Sequence, residues 1–133
     1  MSAYRKLSTE FTSKYRLREA LAKAGVEFEE HATERHLIGW HARTRPETAT
    51  FIVRRKHIGP SSNDLGYHWN GHAFEEIVSE FDSGHAGCTA IRQAVKREYA
   101  VITATSAARS KGYNVARVNE ASGQVRLIVT GRI

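Results

Sequence analysis

At 133 residues, with 41% hydrophobic and 26% charged residues, the chain has the size and composition of one globular domain that needs neither metal nor disulfide to build a core. Its apolar runs are far too short for a membrane span, and its single cysteine excludes an intrachain disulfide, so we expect a cytoplasmic protein. Twenty Lys and Arg against fourteen Asp and Glu give a net charge of +6, which favours an anionic partner, either nucleic acid or an acidic protein surface.

The N-terminal segment predicts a strand followed by a helix. Residues 3–9 alternate loosely between apolar and polar side chains, as in a strand with one buried face. Apolar residues then recur at helical spacing up to about Ala24, with Thr12 or Ser13 as the N-cap. Gly25 follows at the position where helices commonly end, because glycine readily adopts the left-handed conformation found there.

The next segment predicts three strands. Residues 26–30 alternate Val and Phe with Glu, and residues 36–41 form a second strand after a turn at Glu34–Arg35. Pro46 is expected to break the chain, because proline lacks the amide proton that a sheet uses. The β-branched and apolar segment 49–55 is the strongest strand prediction.

Residues 64–69 and 72–81 predict a β-hairpin around Asn70–Gly71. Asn-Gly favours a two-residue type I′ turn, because both central residues of that turn have positive φ. The returning strand is acidic toward its end, whereas the preceding residues 43–57 are basic. This segregation of charge suits an electrostatically complementary partner.

A helix and a closing hairpin complete the chain. The helix runs from about Cys88 to Ser110, and its second half is expected to be irregular because Val, Ile and Thr are weak helix formers. Gly112 ends the helix, and residues 113–118 and 125–129 form two strands around a turn.

The order of these elements, βα-ββ-β-ββ-α-ββ, predicts an α+β fold. We expect residues 1–133 to form a single domain with a mostly antiparallel sheet and two helices packed on one face. An open antiparallel sheet has unpaired edges, so oligomerisation through those edges is a further expectation.

The candidate binding site is a basic strand end followed by a polar loop. The strongest strand ends in the four basic residues Arg54–His57, and the loop after them is rich in the residues that build Asx turns. A polar loop held in place by such turns is suited to contact a partner. The predicted partner-binding residues are Arg45, Arg54, Arg55, Lys56, His57, Ser62, Asn63 and Asp64.

Histidines suggest a weaker, metal-binding hypothesis. His68 and His72 flank the predicted hairpin turn and could hold a transition metal together with His57 or Asp82. No CxxC or helical HxxxH spacing occurs, so we predict no metal ligand and no cofactor.

A second weaker hypothesis is a small enzyme. Asp82, His85 and Cys88 lie within seven residues at a predicted helix N-terminus, where the helix dipole favours a thiolate. Residues this close in sequence more often cap a helix, because the partners in catalytic triads usually come from distant segments. We therefore predict no catalytic residue.

Five motifs connect the chain to known sequences. They are His36–Trp40 (HLIGW), Arg45–Ala49 (RPETA), Ile52–Gly59 (IVRRKHIG), Ser62–Tyr67 (SNDLGY) and Ile77–Asp82 (IVSEFD). In these motifs the chain resembles a small family of uncharacterised bacterial proteins that also occurs in some algal plastid genomes and phages. The resemblance implies no agreed enzymatic activity. It does imply an accessory role, since family members are reported near genes for AAA+ ATPases.

The leading functional hypothesis is a non-enzymatic accessory or adaptor protein that docks a protein partner of a larger assembly through the basic strand end and polar loop. The first alternative is a nucleic-acid-binding module that uses the same basic surface, with Trp40, Tyr67 and Trp69 as stacking aromatics. The small enzyme built on Cys88 is the third hypothesis.

Overall fold

Seven strands and three helices alternate along residues 3–132, the part of the chain that the computed structural model describes. They are β1 (Tyr4–Leu7), α1 (Lys14–Lys23), β2 (Glu29–Gly39), β3 (Arg43–Val53), β4 (Leu65–Trp69), β5 (Phe74–Ser79), α2 (Glu80–Ser83), α3 (Ala86–Ser110), β6 (Tyr113–Asn119) and β7 (Val125–Arg132). Single 3-10 turns at Trp40–Ala42 and Arg55–His57 follow β2 and β3.

Five strands form one antiparallel sheet, and the last two form a separate hairpin. The strand order in the larger sheet is β1-β5-β4-β3-β2, and β6 pairs only with β7 among the described residues. The α+β prediction is therefore confirmed, with the sheet divided in two.

The main hydrophobic core lies between the larger sheet and helices α1 and α3. Helix α1 begins at Ser13, whose Oγ accepts the Arg16 backbone N–H at 3.2 Å, and it buries Leu17 and Leu21 completely. The sheet contributes Phe51 and Tyr67, both fully buried, to the same core. The apolar residues of α1 thus lie on one face of the helix, because they recur at helical spacing. They face the β-branched and aromatic side chains of the sheet.

The far ends of β2 and β3 fold back over the opposite face of the sheet. We call residues 35–49 the arm. Leu37 and Ala49 are fully buried in a small second core, and a Cβ atom added to Gly66 in β4 would lie 2.8 Å from Ala49 Cβ and 2.9 Å from Leu37 Cδ2. The backbones of Ile38 and Asp64 are joined by a 3.0 Å hydrogen bond, so the arm is fixed to the start of β4.

The structure corrects the prediction of a turn at Glu34–Arg35. Strand β2 is continuous from Glu29 to Gly39, and the irregularity at this point is a register shift between Glu30 and Arg35. The Glu34 carboxylate accepts hydrogen bonds from the Thr48 and Thr50 hydroxyls, at 2.9 and 3.0 Å. Cross-strand bonding by the side chain keeps this polar residue within the sheet.

The structure also corrects the predicted strand break at Pro46, because this proline lies inside β3. Two paired positions flank it, Thr48 with His36 and Thr44 with Ile38, and the register shifts between them. Proline is tolerated at such an irregular position because no regular ladder hydrogen bond is required of it.

The β4–β5 connection differs from the predicted type I′ turn. Trp69 pairs with Phe74, which leaves a four-residue loop, and only Gly71 in that loop has positive φ (98°). The Asn70 side chain accepts the backbone N–H groups of His72 and Ala73, each at 2.9 Å. Asparagine therefore acts here by side-chain capping and not by a left-handed backbone.

Two boundaries in the second half also differ. The predicted strand 72–81 ends at Ser79, where the chain turns into the short helix α2, because the Ser79 Oγ caps the Asp82 backbone N–H at 3.0 Å. Helix α3 is regular through Ser110 despite its Val, Ile and Thr residues. Packing against α1 and the β6–β7 hairpin outweighs their weak helix propensity.

Candidate functional site

The predicted polar loop is internal. Ser62, Asn63 and Asp64 are 0%, 4% and 1% exposed. The Asp64 carboxylate accepts the backbone N–H groups of Ile38 and Arg55 and one Arg54 guanidinium N–H, each at 2.7 Å. Asp64 therefore joins β2, the end of β3 and its own loop, and its side chain is not available to contact a partner.

Asn63 has a comparable role on the other side of the loop. Its backbone N–H donates to Asp82 Oδ2 at 2.8 Å, and its side-chain amide donates to Ser79 Oγ at 3.0 Å. Its Oδ1 accepts the Trp40 backbone N–H at 2.9 Å. Asn63 thus links the tip of the arm to α2.

The basic tetrad Arg54–His57 is largely engaged within the molecule. Arg54 pairs with Glu29 as well as with Asp64, and the hydrogen bond from Arg54 is the main reason that the pKa of Glu29 is lowered to about 2. The Arg55 guanidinium donates to the carbonyl groups of Ser62 and Pro60, at 2.7 and 2.8 Å.

The other two residues of the tetrad lie on the surface. His57 lies 3.3 Å from Glu27, and Lys56 is exposed. The tetrad consequently does not form a continuous basic surface, since only its second half faces outward.

A cleft of about 490 Å³ lies beside this region, between the tip of the arm and α2. Its lining consists of Gly39, Trp40, His41, Arg43 and Arg45 from the arm and Ser61, Asn63 and Phe81 from the body of the protein. The volume is within the range typical of small-ligand pockets or of a site for two or three side chains. Among the predicted partner-binding residues, Arg45 and Asn63 line this cleft.

Two large aromatic side chains of the cleft are exposed. Trp40 is 50% and Phe81 is 46% exposed, although both are apolar residues that folding would normally cover. Exposed aromatic groups within a concave, basic site are characteristic of binding surfaces.

The turn that carries Trp40 has an unusual backbone. His41 (φ 63°, ψ 26°) and Ala42 (φ 57°) are both left-handed, and neither is glycine. Such a conformation costs about 1 kcal/mol or more per residue, so other contacts must hold the turn. The bond from Trp40 to Asn63 supplies one, and the Trp40 ring packs on His41 with centroids 3.9 Å apart.

Arg45 is positioned at the other side of the cleft by Tyr4. Its guanidinium lies over the Tyr4 ring, 4.9 Å from the centroid, in a cation–π arrangement. The Tyr4 hydroxyl donates to the Asp64 carbonyl oxygen at 2.8 Å. Burial, and then the charge of Asp64, raises the pKa of Tyr4, so that the hydroxyl remains a donor.

The residues of the enzyme hypothesis have structural roles. Cys88 is fully buried, and burial raises the pKa of its thiol to about 12, with a further contribution from the charge of Asp82. His85 Nδ1 accepts the Cys88 backbone N–H at 3.4 Å and so caps α3. A buried, protonated thiol is a poor nucleophile, which counts against catalysis by this set.

The histidines of the metal hypothesis are separated. His68 Nδ1 lies 2.6 Å from the Glu34 carboxylate, whereas His72 is exposed in the β4–β5 loop. Within residues 3–132, no three His, Cys, Asp or Glu side chains are grouped as metal ligands.

Most of the cleft was not evident from the sequence. The sequence predicts Arg45 and Asn63 as binding residues, suggests Trp40 only as a stacking aromatic, and places Phe81 in a strand. One signal was available for Phe81, because Ser79 followed three residues later by Asp82 is a capping pattern that starts a helix. The left-handed turn has no such signal, since two consecutive residues other than glycine rarely have positive φ.

No helix in the described part of the chain is long and apolar enough to cross a membrane.

Comparison with known proteins supports the resemblance drawn from the sequence motifs. No curated protein and no solved structure matches the chain. A family model described as a protein of unknown function, DUF1257, matches residues 20–128, which is most of the chain. The chain therefore belongs to the DUF1257 family.

Proposed function

We propose that this protein is a non-enzymatic accessory protein that docks a protein partner of a larger assembly into the cleft between the arm and α2. The observation that carries this proposal is the pair of exposed aromatic side chains, Trp40 and Phe81, within one concave site. Aromatic side chains contribute a large part of the binding free energy at protein interfaces.

The internal bonding of the basic tetrad favours a protein partner over nucleic acid. A single-stranded nucleic acid needs a basic groove that follows several phosphates. Arg54 and Arg55 are bonded to groups of the protein itself, and Tyr67, one of the three aromatics considered for stacking, is fully buried. These contacts reduce the surface that the nucleic-acid alternative requires.

Photo-crosslinking in the native cell tests the proposal. The photoreactive residue p-benzoylphenylalanine is placed at position 40 in the cleft and, as a matched control, at position 69, where Trp69 is 41% exposed outside it. We expect a defined protein adduct from position 40 that is absent from position 69. The proposal fails if both positions give the same adducts or none. Adducts to nucleic acid from position 40 would support the alternative instead.

A further inference from the structure

We infer that the cleft binds a partner segment in which an acidic residue lies next to a large apolar residue. This inference rests on the proposed docking function and adds the chemistry of the bound segment. The acidic group contacts the arginine side of the cleft, and the apolar side chain lies against Trp40 and Phe81.

The charge of the cleft supports the acidic residue. Arg43 and Arg45 both belong to its lining, and none of the lining residues in the described part of the chain is acidic. The acidic residue that follows Phe81, Asp82, is 1% exposed and bonded to Asn63 and Ser79. An anionic group in the cleft therefore meets two arginine side chains, which is electrostatic complementarity of the kind found at specific interfaces.

The apolar part of the cleft supports the neighbouring large side chain. Trp40 and Phe81 come from different segments, the arm and α2, and each leaves about half of its surface exposed. An apolar side chain that covers both rings removes apolar surface from water, at roughly 25 cal/mol per Å² of area buried. A free phosphate or a small acid would leave these rings exposed, so the inference specifies a peptide segment.

The cleft is held in one shape before any partner binds. Asn63 bonds the arm through the Trp40 backbone N–H and α2 through Ser79 and Asp82, so both walls are tied to one buried residue. A binding site that is already ordered loses little conformational entropy on binding. A short segment can therefore bind with useful affinity although its contact area is small.

Selection from a library of random displayed peptides on the full-length protein tests the inference. We expect enriched sequences that place Asp or Glu beside Phe, Trp, Tyr or Leu. The enriched peptide, made synthetically with a fluorescent label, is then titrated against Arg43→Glu and Trp40→Ser by fluorescence anisotropy. Lys56→Glu and Trp69→Ser are matched controls at exposed positions outside the cleft. Thermal melting confirms that each variant is folded.

The two cleft variants should weaken binding by at least about tenfold, whereas the two controls should stay within about twofold. The inference is overturned if selected peptides lack acidic residues, if no peptide is enriched, or if all four variants bind alike. It is also overturned if labelled oligo(dT) binds with the same dependence on Arg43 and competes with the peptide. If position 40 crosslinks to a protein but no acidic peptide is selected, the docking function stands and only this inference is rejected.

Discussion

At the level of single residues, Asp64 determines how the arm and the basic segment meet. Its two carboxylate oxygens accept three N–H groups, one from Ile38 and two from the neighbouring residues Arg54 and Arg55, and its carbonyl oxygen accepts the Tyr4 hydroxyl. A buried carboxylate with hydrogen bonds to both of its oxygens is stabilised by that geometry, and its burial becomes costly when one partner is lost. The polar SSND segment is thus a structural centre that lies beside the binding site.

Asp64→Asn should destabilise the protein by about 3–5 kcal/mol, because it removes the buried partner of the Arg54 ion pair and leaves Arg54 only the more exposed Glu29. The amide also replaces one acceptor oxygen by a donor that faces a backbone or guanidinium N–H. Urea unfolding at neutral pH measures the change. Glu27→Gln is the control: Glu27 is 82% exposed and pairs with His57 at the surface, so its loss should change the free energy of unfolding by under about 0.5 kcal/mol. Equal effects of the two substitutions would contradict this role of Asp64.

The pKa of Glu29 predicts a dependence of stability on pH. The hydrogen bond from Arg54 lowers this pKa from 4.5 to about 2, with a smaller contribution from His31. Because the folded value is the lower one, the ionised pair stabilises the folded state above about pH 4.5, and this contribution is lost as the pH falls toward 2. Glu29 is 42% exposed, so solvent screening reduces the size of the effect.

The stability difference between the wild type and Glu29→Gln should therefore shrink as the pH is lowered through this range. Urea unfolding at several pH values gives that difference directly. Glu10→Gln, at an exposed position, serves as the control. If the difference in stability stays constant with pH, the pair with Arg54 does not lower the pKa of Glu29.

At the level of elements, the arm depends on a glycine in the strand beneath it. Gly66 lies where Ala49 and Leu37 come close to the β4 backbone, and a Cβ atom there would meet them at 2.8 and 2.9 Å. Gly66→Ala should therefore displace the arm and destabilise the protein by about 1–3 kcal/mol, as overpacked cores do. Thermal unfolding checks this expectation.

Gly84→Ala provides the matched control for Gly66→Ala. A Cβ atom at Gly84 would meet nothing within 4 Å, and its φ of −104° suits an alanine. We expect a change of less than about 0.5 kcal/mol, as for an ordinary surface substitution. If both alanine variants lose the same stability, close packing of the arm is not the cause.

The elements themselves were largely predictable, but the arm was not. Helix α1, strand β4 and the β6–β7 hairpin follow from local periodicity and turn residues, which depend on neighbours in sequence. The fold of the arm over the second sheet face depends on contacts of Leu37 with Gly66, 29 positions further along the chain. The polar loop likewise looks like a surface turn in the sequence. The backbone N–H groups that Asp64 accepts come from other parts of the chain, so its burial is not evident from its neighbours.

At the level of the whole molecule, the two edges of the larger sheet are poorly suited to pairing with another chain. The edge strand β2 carries several charged residues and two register shifts, and the other edge, β1, has only four residues. Short, charged and irregular edges oppose the addition of a further strand. The expectation of oligomerisation through sheet edges therefore has less support in the structure than it had in the sequence.

The β6–β7 hairpin is attached to the rest of the molecule mainly through α3. A two-stranded hairpin is marginally stable alone, so its stability depends on this attachment. A bidentate ion pair joins Arg117 of β6 to Glu98 on α3, at 2.6 and 2.7 Å. Glu98 is 3% exposed, so the pair is well shielded on that side.

Glu98→Gln should increase the rate of amide hydrogen exchange in β6 and β7 and leave β4 and β5 unchanged, because local opening needs only the contacts of the opening unit. Hydrogen exchange followed by mass spectrometry resolves these segments. Glu120→Gln removes only an exposed pair with Arg126, at 3.6 Å, and should leave the rates unaltered. Faster exchange throughout the protein would mean that the hairpin opens only with the core.

The hydrogen bond from the Trp40 backbone N–H to Asn63 holds the arm in place in the folded protein. Binding of a segment in the cleft is therefore coupled to folding. A segment that touches both walls binds the folded protein and not the unfolded chain, so each bound molecule withdraws population from the unfolded state. At a concentration about one hundred times its dissociation constant, a ligand adds about 2.7 kcal/mol to the free energy of unfolding. A rise in melting temperature can thus reveal a partner segment without any label, and Asn63→Ala should diminish that rise as the two walls lose their common support.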